Sequence, residues 1–496
     1  MDCFLGIDLG SSSVKVSILD GQTGNVVTKG VAPKTEAPIL SVRNGWAEQN
    51  PDDWWTYLKT ALRQAMTSGN VKAEDVKAVG ITYQMHGLVL VDKDLRVLRP
   101  SIIWCDSRAV PYGEKAFEEL GHEYCLTHLL NSPGNFTVSK LAWVRENEPE
   151  IYNSIYKYML PGDYLAMRMT GEVRTTVPGL SEGMSWDFAD NKVSDRLLSF
   201  FGISEERVAE TVPTFGEQGC ISASVAAELG LCAGTPICYR AGDQPNNAFS
   251  LNVLNPGEVA ATAGTSGVVY GISDKVNTDP RSRINMFAHV NHTPEQPRLG
   301  VMHCTNGVGI MNAWMRRMVA PQVSYEQFND MAAQAPIGSD GVTVLPFGNG
   351  AERILENRQL GSLIYGLNFN NHDANTLARA AQEGVAFSFQ YGMSIMQATG
   401  MNTKVIRAGY ANMFLSPIFR TTLATVADAV IELYATDGSV GAATGAALGC
   451  GFFASAEEAF RSLRKIDVVT PDRSHHDEYL EAYTRWENVL RRKLNA

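Results

Sequence analysis

Two stretches of the chain share one design, and their recurrence constrains the fold more than any other feature. From Phe4 to Leu19 the sequence reads as a short apolar strand, a Gly-Ser turn and a second strand. From Glu258 to Gly271 it reads as a small apolar strand, a Gly-Thr-Ser turn and an apolar strand. Aligning Gly264 on Gly10 puts Thr262 opposite Asp8, so only the first copy brings a carboxylate. Val14, Val16 and Ile18 alternate with Lys15 and Ser17, which predicts a half-buried strand. A turn of this kind sets hydroxyls beside exposed backbone N–H groups and can cradle an anion, and its glycine allows backbone that a side chain would forbid. A duplication on this scale predicts two domains, each opened by its own hairpin, over residues 1–250 and 251–496. Two facing Gly/Ser/Thr hairpins could grip one polyphosphate, and the lone Asp8 could orient Mg²⁺, which takes one or two carboxylates plus waters and phosphate oxygens.

The rest of the composition narrows the partners. A net charge of −11 over 496 residues argues against a nucleic-acid binder or an anionic-membrane binder with a basic surface. The eight cysteines are scattered with no Cys-x-x-Cys pair, which predicts reduced thiols and a cytoplasmic home. No apolar run approaches the roughly 20 residues of a membrane helix, and no basic segment precedes an apolar one as in a signal peptide.

Along the chain, Asn50 and Pro51 with the acids behind them predict a helix start, running to about Met66. Val76–Tyr83 and Leu88–Asp92 read as strands, separated by the polar break Gln84-Met85-His86-Gly87. Ser139–Arg145 and Tyr164–Met169 read as helical, and Thr175–Asp190 as irregular. Within it, Gly179-Leu180-Ser181-Glu182-Gly183 matches the Gly-x-Ser-x-Gly of a hydrolase elbow, but Pro178 disfavours the buried strand that the elbow needs. Ile237–Tyr239 is a short strand leading to Gly242-Asp243-Gln244, where a carboxylate on a Gly-flanked turn can project toward a ligand, or simply cap a helix. Val308–Met318 and Ala374–Gln397 read as helices, and Lys404–Ala408 as a strand ending at Gly409-Tyr410-Ala411-Asn412, where backbone could approach a planar base. Gly441–Gly449 is a helix of small residues, fit either for close packing or to leave room for a nucleotide; Glu478–Leu494 reads as a charged amphipathic helix forming a solvated cover.

There is no Gly-Lys dipeptide anywhere, which excludes a P-loop. The motifs instead resemble those of the FGGY carbohydrate kinases. Gly6–Lys15 is similar to that family's first phosphate motif, Ala263–Gly267 to its second, and Gly242-Asp243-Gln244 to the site of its catalytic aspartate. Gln84-Met85-His86-Gly87 resembles the sugar signature of the members that phosphorylate D-xylulose. Trp46–Pro51, Trp104–Arg108 and Leu160–Tyr164 add further likeness, and the resemblance spans nearly the whole chain in order. Gln244 stands where those members usually carry Asn, Ala408 and Tyr410 stand where glycines are common, and Ser107 replaces a usual glycine.

The resemblance implies an α/β fold of two ribonuclease-H-like domains, as in actin, hexokinase and Hsp70, with a cleft that closes on the sugar. It implies ATP-dependent phosphorylation of the terminal hydroxyl of an open-chain ketose, D-xylulose at C5 first, with D-ribulose, L-xylulose, sedoheptulose and glycerol as alternatives. Asp243 would be the general base. Met85, as an apolar wall, His86, as a directional donor, and Gln244 would hold the sugar beside it. Gly10, Ser11, Ser12, Ser13 and Lys15, with Gly264, Thr265, Gly309, Gly409 and Asn412, would hold ATP, and Asp8 the Mg²⁺. The resemblance allows a homodimer without requiring one. Two rivals from other classes are an actin- or Hsp70-like ATPase with no small substrate and a serine hydrolase using Ser181.

Overall fold

In the computed structural model, which describes residues 1–495, the first repeat is an antiparallel hairpin of Cys3–Leu9 and Val14–Asp20. Leu9 pairs with Val14, and the Gly10–Ser13 turn is closed by the Gly10 N–H donating to the Ser13 carbonyl at 3.0 Å. The hairpin sits in a five-stranded sheet ordered Ile237–Gly242, Val76–Tyr83, Cys3–Leu9, Val14–Asp20, Val26–Ala32. The first three strands run parallel, so the carboxyl ends of Cys3–Leu9, Val76–Tyr83 and Ile237–Gly242 lie side by side. Such ends are where α/β sheets collect ligands. Asp8, Gln84 and Asp243 all stand at those ends.

Both faces of this sheet are covered. Helix Pro51–Ser68 lies on one; Asn50 caps it as expected, its side chain accepting from the Asp52 N–H. The other face carries helix Gly438–Gly449. The alternation at Val14–Ile18 therefore misleads at one position: Ser17 is fully buried, with its Oγ 2.8 Å from Ser439 Oγ. Gly6 and Gly80 face the same helix, where a Cβ would come within 1.9 Å of the Ser439 carbonyl and 2.0 Å of the Ala442 carbonyl. The small-residue helix is thus a close-packing element, backbone against backbone. One compact unit comprises Met1–Asn252, Phe287–Leu299 and Thr436–Leu463.

The second unit comprises Val253–Met286, Gly300–Ala435 and Arg464–Ala496. Its hairpin pairs Val259–Ala263 with Gly267–Ser273, closing on Ala263 opposite Gly267. Thr262 pairs with Val268 as Asp8 pairs with Lys15, so the two residues are structural equivalents. In its seven-stranded sheet the hairpin is followed by the parallel strands Val405–Gly409 and Val430–Tyr434 and the antiparallel Lys465–Val469. Helix Ala374–Ala398 starts at a capping box between Asp373 and Thr376. The final helix, His476–Asn495, does more than the solvated cover expected of it: Trp486 is 1% exposed and its indole N–H donates to the Val344 carbonyl at 2.8 Å.

One expected irregular stretch is partly helical. Val177–Glu182 forms a helix whose N-cap, Thr176, accepts the Gly179 N–H at 3.1 Å. Pro178 lies in the first turn, where a missing N–H costs nothing. The proline that argued against a strand is a helix starter.

Candidate active site

The chain leaves Val76–Tyr83 at Gln84, whose N–H donates to the Leu9 carbonyl at 2.8 Å. The Gln84 side-chain amide donates to Gln49 Oε1 at 3.0 Å, and Gln49 donates in turn to the Ser11 carbonyl at 2.7 Å. A chain of amides thus ties the Gln84-Met85-His86 break to the first hairpin turn. Gln49 belongs to the Trp46–Pro51 stretch, and Trp54 also donates to its Oε1 at 3.1 Å. Trp104 Nε1 lies 3.4 Å from Ser11 Oγ.

His86 has φ +62°, a conformation that costs a non-glycine residue and persists only when its surroundings over-determine it. Here they do. Its N–H donates to Glu182 Oε2 at 3.0 Å, and its carbonyl accepts from the Lys140 ammonium at 2.7 Å. Its ring lies 4.6 Å from Phe136, edge to face, and 5.4 Å from Phe287. Its Nδ1 is 3.0 Å from the Glu182 carbonyl oxygen. Lys140 is wholly buried, which pulls its ammonium down to about 8. Burial pushes the Glu182 carboxyl well up, despite hydrogen bonds from Tyr83 and His86; the charges of Asp243 and Asp163 add to the rise.

Strand Ile237–Gly242 delivers Asp243 to the first position of helix Asp243–Ser250. A Cβ on Gly242 would meet Met85 Cγ at 2.6 Å and Glu182 Oε1 at 3.1 Å. Met85 and Glu182 therefore fill the space where a Gly242 side chain would lie, and only glycine fits before the candidate base. Burial raises the Asp243 carboxyl to about 7, the Asp8 charge adds to this, and hydrogen bonds from Gln244 oppose it. The strand is anchored by Arg240, whose Nε is 3.0 Å from Asp163 Oδ1, both fully buried.

Asp8 is raised to about 6 by burial, with Lys15 opposing and Asp437 reinforcing the shift. Its carboxylate lies over the start of helix Gly438–Gly449: a Cβ on Gly438 would come within 2.9 Å of Asp8 Oδ2 and 3.3 Å of Asn247 Oδ1. Asp437 caps that helix through the Val440 N–H and accepts from Lys29 at 2.5 Å; burial would push it up, but these partners hold it below the usual range. Asp8 and Asn247 both present oxygens at this helix start, hard donors of the kind that Mg²⁺ takes, and a dication would offset the burial that disfavours the ionised form of Asp8. The residues present fit such an ion.

In the second unit, Gly264, Thr265, Gly309 and Asn412 come together. The Gly309 N–H donates to the Gly264 carbonyl at 2.8 Å, and the Ile310 N–H to that of Thr265 at 3.3 Å. A Cβ on Gly309 would fall 2.4 Å from the Gly264 oxygen. Helix Gly309–Val319 thus begins on the hairpin turn, and the nearest atom to a Cβ on Gly264 would be Asn412 Nδ2 at 3.8 Å. Gly409 ends its strand, paired with Tyr434, and its carbonyl accepts from the Ala411 N–H at 2.8 Å.

Ser181 is on a helix, 1% exposed, and its Oγ accepts the Ala288 N–H at 2.9 Å. That is a structural serine and not a nucleophile at a strand-to-helix elbow. Glu182, Lys140 and Gln49 escaped the sequence reading. Glu182 lay inside the hydrolase-like pattern, whose spacing drew attention to the serine; Lys140 carried no signal, since a buried lysine looks like a surface one in sequence.

Two α/β units, each with a glycine-turn hairpin, and an aspartate at a helix start make an arrangement suited to phosphoryl transfer. The profile of the FGGY family of carbohydrate kinases, N-terminal domain, matches residues 3–250, and that of the C-terminal domain residues 259–452. The chain is 32% identical to the xylulose kinase of Escherichia coli K12, over 90% of this chain and 88% of that one. It is 29% identical to the xylulose kinase of Bacillus subtilis 168, over 99% and 97%. The crystal structure of a xyloylose kinase from Brucella ovis superposes with a TM-score of 0.86 at 25% identity, covering 98% of each chain. The chain belongs to the FGGY family of carbohydrate kinases and is a carbohydrate kinase.

Proposed function

We propose that this kinase transfers the γ-phosphoryl group of ATP to the C5 hydroxyl of D-xylulose, with Asp243 as general base. The observation that carries the reading is the packing at Gly242, the residue before Asp243, whose Cα faces Met85 and Glu182 so closely that no Cβ would fit. Likeness to xylulose kinases along almost the full chain supports the choice of ketose. A carboxylate suits the base role because phosphoryl transfer passes through a loose transition state in which the hydroxyl proton leaves late. Residues 1–250 would supply the sugar site through Met85, His86, Asp243 and Gln244, and the first phosphate turn through Gly10, Ser11, Ser12, Ser13 and Lys15. Residues 251–496 would supply Gly264, Thr265, Gly309, Gly409 and Asn412 to the nucleotide. Mg²⁺ held by Asp8 would supply charge neutralisation at the phosphates.

The test is ADP release across D-xylulose, D-ribulose, L-xylulose, sedoheptulose and glycerol. D-xylulose is expected to give the highest kcat/KM; a higher value for another sugar reassigns the substrate, and sugar-independent ATP turnover as the main activity favours a conformational ATPase. Asp243→Asn is expected to lower kcat about 10²–10⁴-fold, the usual contribution of a positioned base. Near-normal turnover in that variant removes Asp243 from the role.

A further inference from the structure

We infer that Glu182 is a positioning residue that fixes the hydrogen-bonding polarity of the sugar site: it holds His86 as the Nδ1–H tautomer, so that Nε2 accepts a hydrogen bond from a sugar hydroxyl. The inference rests on the proposed sugar site at Met85 and His86. It departs from the donor role that the sequence suggests for His86.

Three observations converge on it. The His86 Nδ1 faces the main-chain carbonyl of Glu182 at 3.0 Å, and a carbonyl oxygen can only accept. Nδ1 therefore carries the proton, and in the neutral ring Nε2 is left with a lone pair. Second, the backbone of His86 is gripped at both ends, its N–H by the Glu182 carboxyl at 3.0 Å and its carbonyl by Lys140 at 2.7 Å. Lys140 also donates to the Ile103 carbonyl at 3.1 Å, so the clamp is itself held. Third, the grip maintains a φ of +62° that histidine does not adopt for free, and the ring packs against Phe136 and Phe287, which also touch each other. Glu182 thus acts twice on one residue, through its side chain on the backbone and through its own carbonyl on the ring. It is 2% exposed, and its Oε1 also borders the space that Gly242 leaves open, next to Asp243. Truncating it frees the backbone of His86 and opens a gap beside Met85.

The test has two arms. Long-range ¹H–¹⁵N spectra of the ligand-free full chain report the tautomer, with the His86 resonances identified by their absence from His86→Gln. The expected result is a protonated Nδ1 and an unprotonated Nε2; D-xylulose, or the panel sugar that turns over fastest, should shift Nε2 without protonating it. A protonated Nε2 in the ligand-free protein, or on adding sugar, overturns the inference. In the kinetic arm, Glu182→Ala should raise the sugar KM at least tenfold and leave the ATP KM unchanged, while Glu182→Gln, which keeps an acceptor for the His86 N–H, recovers most of the loss. An unchanged sugar KM in Glu182→Ala also overturns it. If Glu182→Ala does not fold, the wild-type spectrum decides. Failure of the D-xylulose assignment appears in the sugar panel alone, because the tautomer is read without any sugar.

Discussion

At the scale of the residue, the site depends on what a few side chains leave room for. Gly242 is at an ordinary φ of −58°, so its need for glycine is steric and comes from Met85 and Glu182 alone. Gly242→Ala is expected to push Met85 aside, raising the sugar KM about tenfold at a stability cost of about 1–3 kcal/mol, the usual range for overpacking; steady-state kinetics and urea melts read both. An unchanged sugar KM would separate Met85 from sugar binding. A second residue sets a pH limit. His303 is 1% exposed on strand Leu299–Thr305, and burial holds its imidazole down at about 3. Unfolded, it takes up a proton near its ordinary value of about 6.5. Between those two values the unfolded state binds the extra proton, so stability falls as pH drops below about 6.5, by up to about 1.4 kcal/mol per pH unit from this group. Asp8 and Asp243, raised to about 6 and about 7, act in the opposite sense, so the reading is a difference: from pH 7 to 5 the unfolding free energy of His303→Gln in urea melts should fall less, or rise more, than that of the wild type, and equal changes would remove His303 from the balance.

At the scale of the element, the sequence was most legible where one element explains itself. The Asn50 cap, the strand Val76–Tyr83 and the helix Ala374–Ala398 follow from local pattern, within a residue or two at their ends. The reading failed where a distant element decides. Ser17 looks solvent-facing by its period, yet helix Gly438–Gly449 arrives from more than 400 residues away to cover it. Pro178 reads as a strand breaker until its neighbours make a helix start of it. The close approach of that distant helix has a measurable consequence. Gly80→Ala would set a Cβ 2.0 Å from the Ala442 carbonyl, backbone that cannot yield as a side chain would. It should cost about 3 kcal/mol, near the top of the overpacking range. Gly264→Ala, with no neighbour closer than 3.8 Å, should melt like the wild type. Equal melting of the two variants would refute the tight packing at Gly80.

At the scale of the whole molecule, the candidate site was legible as a set of motifs but not as an assembly. Asp8 and Asp243 stood out as candidates from their turns, and Met85 and His86 through the family resemblance of their strand-end motif; the structure sets Asp8, Gln84 and Asp243 at neighbouring strand ends. What joins them was hidden: Gln49 between Gln84 and Ser11, Glu182 between His86 and Gly242, and Gly438 beneath Asp8. The last of these comes from Thr436–Leu463, which belongs to the first compact unit although the chain reaches it after most of the second. A fragment ending at Asn252 would leave the face of Gly6, Ser17 and Gly80 uncovered, with Ser17 Oγ stripped of Ser439 and Asn246 of its bond to the Gly438 carbonyl at 2.9 Å. An uncovered apolar sheet face is an aggregation surface. Residues 1–252 alone should therefore aggregate or fail to melt cooperatively, whereas the same fragment joined by a flexible linker to residues 436–463 should gain a cooperative transition in circular dichroism. A cooperative melt of residues 1–252 alone would mean that the hairpin and its parallel strands carry enough core without the returning helix. Asp8 would then owe its environment to the sheet, and Gly438 would only border it.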